Sequence, residues 1–114
     1  MSAGQFNLML EQGVTYNQTL NWSISGTPVN LTSYTAKMQV RKTAYFTTAV
    51  ATFTTDDGSI TLDASGNITL HKSAADASAI PAGSYVYDLE LTSSNGTVKR
   101  LLEGSFIVDP EVTR

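Results

Sequence analysis

Residues Gly83 to Val108, GSYVYDLELTSSNGTVKRLLEGSFIV, constrain this chain more than any other stretch, because they read as two long strands folded about one turn. Tyr85, Tyr87, Leu89 and Leu91 alternate with Val86, Asp88, Glu90 and Thr92, so one face is apolar and the strand is half-buried. Ser94-Asn95-Gly96 follows, and Asn-Gly is expected to supply the positive φ angles of a tight hairpin. On the return, Val98, Leu102, Phe106 and Val108 share one parity, while Leu101 and Ile107 fall on the other. Gly104 interrupts the pattern and reads as a bulge or a point of close approach. Leu101 and Ile107 are therefore expected to contact something beyond the domain's own core, with a neighbouring subunit as the favoured cover and the N-terminal strand as the other candidate.

The other segments also read as strands. Phe6, Leu8 and Leu10 alternate with Asn7, Met9 and Glu11 before Gly13; Tyr16, Leu20, Trp22 and Ile24 alternate with polar residues over Thr15 to Ile24, with Trp22 read as a core anchor. A third strand runs from about Ser33 to Lys42, with Tyr34, Ala36, Met38 and Val40 inward and Lys37, Arg41 and Lys42 outward. Lys37, Arg41 and Lys42 read as a basic stripe that either meets an acidic partner or serves only solvation and edge protection. Tyr45 and Phe46 are adjacent, which on a strand exposes one of them as a candidate contact. From Val50 to His71 short strands alternate with Asp-Gly and Ser-Gly turns, the spacing of an all-β sandwich or barrel. Ser59 to Leu62 and Asn67 to Leu70 have matching parity and predict a hairpin. Ser73, with Asp76 three residues on and alanines after it, predicts a short helical crossover ended by Pro81. Asp109-Pro110 closes the last strand, leaving Glu111 to Arg114 as a tail.

The 114 residues suit one domain, 1–114, with no cysteine to staple it. A net charge of −3 offers no basic field for phosphates, so no nucleic-acid partner is expected. No leader-like opening or long apolar run occurs, so the expectation is a protein made in the cytoplasm with no membrane partner. The Asn-x-Ser/Thr triplets read as turn and strand composition.

Chemistry finds little footing. His71 is the single histidine and lacks a nucleophile or paired ligand in the sequence. Asp63 to Asn67 begins like a calcium loop but lacks the later glutamate, so a side-chain-closed turn is expected. Asp88 and Glu90 stand about 7 Å apart on one strand face, a spacing that paired glycosidase carboxylates also show. With no enclosing cleft expected in so short a chain, they read as solvated acids. No enzyme, metal or cofactor is expected.

Three segments carry a resemblance: FNLMLEQGVTYNQTLNW, PVNLTSYTAKMQVR, and the ending with YDLEL, RLLEG and PEVTR. They resemble a group of small proteins encoded among the structural genes of tailed bacteriophages. The chain also looks, more distantly, like the immunoglobulin-like N-terminal domains of upper baseplate proteins, in which such a module docks on the tail. The resemblance implies an all-β, immunoglobulin-like β-sandwich of about seven to nine strands with a short helical crossover. It further implies a non-enzymatic virion structural protein of the tail, baseplate or neck, binding other phage virion proteins as a homo-oligomer. A capsid decoration protein is the first alternative. A carbohydrate-binding module that stacks sugars on Tyr34, Tyr45 or Phe46 is the second.

Overall fold

The computed structural model describes residues 4–112; Thr113 and Arg114, the end of the expected tail, lie outside them. Eleven strands and one helix occur in the order β1 Gly4–Gln5, β2 Leu8–Glu11, β3 Tyr16–Asn21, β4 Ser23–Ile24, β5 Thr27–Pro28, β6 Thr35–Arg41, β7 Ala51–Thr54, β8 Ile60–Leu62, β9 Asn67–Lys72, α1 Ala74–Ser78, β10 Gly83–Thr92 and β11 Val98–Asp109. The larger sheet runs β11, β10, β6, β7, with β1 and β2 both pairing in parallel with β11. The smaller sheet runs β3, β9, β8, and β4–β5 is a two-stranded ribbon.

This is an immunoglobulin-like β-sandwich. Strands β6, β10 and β11 form the centre of one sheet and β3, β9 and β8 the other, with β7 extending the larger sheet as in variable-type domains. A second hallmark sits at the entry to β10, where the Tyr85 hydroxyl donates to the Pro81 carbonyl at 2.8 Å and fixes the corner after α1. Two residues on, where antibody domains place a disulfide cysteine, stands Tyr87. The space is filled by rings: Tyr16 lies edge-on to Phe53 and Phe106, and Tyr87 edge-on to Phe106, with centroids 6.0 to 6.3 Å apart. A sandwich without cysteine is thus pinned by aromatic packing.

The alternation read from the sequence sets the core. Tyr85, Tyr87, Leu89 and Leu91 are buried beside Ala36, Met38 and Val40, and Leu8, Leu10, Phe106 and Val108 continue the layer. The smaller sheet answers with Tyr16, Leu20, Ile60, Ile68 and Leu70; Ile60 pairs with Leu70 and Leu62 with Ile68, the expected hairpin. Lys72 closes one side of the sandwich: its ammonium donates to the Thr52 carbonyl at 2.8 Å and lies 4.7 Å from the Phe53 ring centroid. Helix α1 begins as expected, with the Ser73 hydroxyl accepting from the Asp76 amide at 3.1 Å.

Four local expectations change. The bulge in β11 lies at Leu101, not Gly104: Leu89 pairs with Leu102 but Glu90 with Arg100, leaving Leu101 as the extra residue. Gly104 is instead the close-approach point, since a side chain there would run into the Phe6 carbonyl. The β10–β11 connection spans residues 93–97, with Gly96 alone at positive φ, 87°; the two-residue turn with both central φ positive is Ser25-Gly26, between β4 and β5. Finally, Phe6 and Ile24, on the expected apolar parity, are exposed, and Trp22 is half-buried between strands. The Trp22 ring still packs against the core, edge-on to Tyr34 at 6.3 Å, with the Lys99 ammonium 5.7 Å from its centroid.

Candidate interaction face

The outer face of the larger sheet is assembled by four registers. Across β11, β10, β6 and β7, one row reads Glu103, Asp88, Gln39, Thr52, and the next Arg100, Glu90, Lys37, Thr54. A third row reads Ser105, Val86, Arg41, and a fourth Met9, Ile107, Ser84. Because the even-numbered residues of β10 point away from the core, these side chains share one surface. The third row, with the β11, β10 and β6 residues of the first two, lines a shallow trough of about 800 Å³, walled on one side by Gln5 and Asn7 and on the other by Lys42, Thr43 and Ala44.

Charge on this face is arranged by strand. Acids stand on β10, at Asp88 and Glu90, and bases on the neighbouring β6, at Lys37 and Arg41. Arg100 binds Asp88 at 3.3 Å and Glu103 at 3.7 Å, and these are the ion pairs among the described residues. Lys37 and Glu90 stand directly opposite each other yet make none. Arg41 is held in place, donating to the Gln39 side-chain oxygen at 2.8 Å and to the Phe46 carbonyl at 2.9 Å. The second of these bonds draws the 42–50 loop back toward the sheet.

The residues singled out from the sequence divide accordingly. Lys37 and Arg41 are on the face, and Tyr45 and Phe46 follow its wall residues Lys42 to Ala44 in the loop, 95% and 51% exposed. Both aromatics are exposed because they sit in a loop, where strand parity does not apply. Leu101 and Ile107 do not share a surface. Leu101, in the bulge, packs against the core, so the reading of it as an outward contact is corrected; Ile107 stays on the outer face beside Met9, which is 56% exposed. Tyr34 precedes β6 and Tyr45 follows it, so about 24 Å of strand separates them and they form no joint sugar platform. Met9 and Glu90 also belong to this face, and no local sequence signal shows it, since their placement depends on pairings with strands far away in sequence.

The remaining polar candidates serve the fold. Asp57 is held below the usual carboxylate range by the Ser59 hydroxyl and amide, and Asp63 by the Asn67 amide and side chain. The Asp63 oxygens accept from Ser65 N, Asn67 N and Asn67 Nδ2 at 2.9 to 3.0 Å, so the turn satisfies its own carboxylate. His71 Nδ1 meets Asn17 Oδ1 at 2.9 Å on the exposed face of the smaller sheet. Among the described residues no group of three or more His, Cys, Asp or Glu is placed to hold a metal. No helix among them is long and apolar enough to cross a membrane.

No family model and no curated protein matches the sequence. Among solved structures the chain is similar to CopC from Methylosinus trichosporium OB3b, with 16% identity and a TM-score of 0.49 over 99% of this chain and 90% of that one. It is also similar to murine CRIg, with 9% identity and a TM-score of 0.45 over 92% of each chain. The extracellular domain of the voltage-gated sodium channel beta4 subunit aligns over 98% of each chain, with 12% identity and a TM-score of 0.43.

Proposed function

We propose that this chain is a non-enzymatic structural protein of a tailed-bacteriophage virion, made in the host cytoplasm and built into the tail, baseplate or neck. It assembles with other virion proteins and with copies of itself, using the outer face of its larger sheet. One observation carries the reading: the segments with the phage resemblance supply most strands of this sheet, all but β1 and β7. FNLMLEQGVTYNQTLNW supplies β2, and β3 of the smaller sheet as well; PVNLTSYTAKMQVR supplies β6, and YDLEL with RLLEG supplies the middle of β10 and β11. An open trough on a rigid sandwich suits attachment to another protein surface. Arg100 already binds Asp88 and Glu103 there, while Lys37 and Glu90 make no ion pair, and the acids Asp88 and Glu90 project into solvent-open space rather than a substrate-sized enclosure.

The test is to purify particles from a phage that encodes the chain and locate it by labelled antibody and cryo-electron microscopy. The expected result is a fixed copy number at the tail, baseplate or neck. Density on the head would support the capsid decoration reading instead, and absence from purified particles would overturn the virion role.

A further inference from the structure

We propose that the outer face of the larger sheet is self-complementary and pairs two copies of this chain about a two-fold axis parallel to the strands. The axis runs between β6 and β10. The inference goes beyond the virion role, because such pairing is a property of the isolated chain.

The argument begins with register. A two-fold of this kind keeps each residue at its own height and exchanges neighbouring strands, laying β6 of one copy over β10 of the other. Lys37 and Glu90 are at one height, so each lysine comes to lie over the partner copy's glutamate, twice by symmetry. One step along, Gln39 and Asp88 are paired, and the same operation sets amide donors over carboxylates. Within one chain Lys37 and Glu90 form no ion pair, so both charges are left to be matched from outside. Faces of packed sheets lie about 10 Å apart, a gap that an extended lysine and a glutamate together bridge. Near-parallel strands are also the natural outcome for twisted sheets packed face to face.

The same axis places the apolar groups. The 42–50 loop leaves the end of β6 and returns in β7, so in the partner copy it overlies the ends of β10 and β11. The residues there are Ser84 and Ile107, beside Met9. The exposed Tyr45 and Phe46 of each copy thus cover the exposed apolar corner of the other. Two mixed features, a striped charge pattern and an aromatic loop diagonal to an apolar corner, are satisfied by one operation. The area fits as well. Five strands and nine residues of β10 span about 24 by 30 Å, on the order of 700 Å², close to the roughly 800 Å² that each partner contributes to a stable interface.

The test is sedimentation equilibrium of the purified chain from micromolar to millimolar concentration, with Lys37→Glu, Glu90→Lys, the double reversal, and Ile107→Ser, each checked for folding by circular dichroism. The parent should dimerise. Either single reversal should raise the dissociation constant about tenfold or more, and the double reversal should return it to near the parental value. Ile107→Ser should weaken pairing without changing its salt dependence. A parent that stays monomeric at millimolar concentration overturns the pairing and leaves the face to an unlike partner. A dimer indifferent to both reversals uses another surface and equally overturns it. Neither result bears on whether the chain is found in virions.

Discussion

The Tyr87 hydroxyl donates to the Phe6 carbonyl at 2.6 Å, reaching it across Gly104, which lies directly opposite Tyr87 in the strand ladder. Only a residue without a side chain lets the N-terminal strand roll in far enough for that bond, and the roll is what turns Phe6 outward and divides β1 from β2. Burial pushes the Tyr87 phenol up to about 12, so it stays a donor across the ordinary pH range. Tyr87→Phe should lower stability by about 1 kcal/mol, the usual net value of such a bond. Gly104→Ala should cost more, about 2 to 3 kcal/mol, because backbone must move to admit the methyl group. Urea midpoints of the two variants check the order; equal midpoints would mean that the strand is not held at this point.

Tyr16 presents the opposite case. Its ring is packed between Phe53 and Phe106, but its hydroxyl is buried without a hydrogen-bond partner among the described residues. Burial, reinforced by the nearby Tyr87, raises its pKa well above the ordinary phenol value. Removing an unsatisfied buried oxygen is neutral or favourable, so Tyr16→Phe should leave stability unchanged or raise it by about 1 kcal/mol. A clear loss in thermal denaturation would show that the hydroxyl is bonded in solution.

Acid should loosen the 63–67 turn. The Asp63 carboxylate is bonded by three N–H groups, which holds its folded pKa below the ordinary 3.8. A depressed carboxylate contributes stability that is fully present above its unfolded pKa and is lost as pH falls through the folded value. The midpoint temperature should therefore drop as pH falls below about 4, and Asp63→Asn should reduce that drop. Identical acid profiles for parent and variant would contradict the capping role. Added calcium should leave the midpoint unmoved, since the turn's own donors occupy this carboxylate.

Leu101 and Ile107 should separate cleanly in stability. Leu101→Ser removes a side chain packed against the core and should cost about 1 to 3 kcal/mol. Ile107→Ser alters the outer face and should change the isolated domain by about 0.5 kcal/mol or less. Matched losses in urea would return the two residues to a common environment.

The core-facing residues of the strands were legible because alternation survives averaging: every odd residue from Tyr85 to Leu91 is apolar and every one is buried. The helix cap at Ser73 and the hairpin of Ile60 and Leu70 were readable for the same local reason. The bulge was not. Two adjacent leucines, 101 and 102, present the same pattern whichever of them is the extra residue, so Gly104 drew the assignment. Phe6 misled because a backbone roll overrides side-chain parity, and Tyr45 and Phe46 because a loop has no parity. The interaction face was only half legible: Lys37 and Arg41 could be marked as outward, but the carboxylate beside Lys37 is contributed from fifty-three residues away (90 − 37). Such adjacency is written in sheet topology, which a strand's own sequence does not state.

The parallel pairing of the first strands with the last also sets a schedule for synthesis. Gly4 and Gln5 meet Leu102 and Glu103, so they have no ladder partner until β11 has been made. At about 5 to 20 residues per second, that interval lasts on the order of 5 to 20 s. During it, Leu8 and Leu10 are an unpaired apolar segment on a nascent chain, while β3, β6 and the β8–β9 hairpin are already available to one another. Closure of the larger sheet thereby waits for β11, and a chain halted before β11 would carry its own first strand as a sticky end.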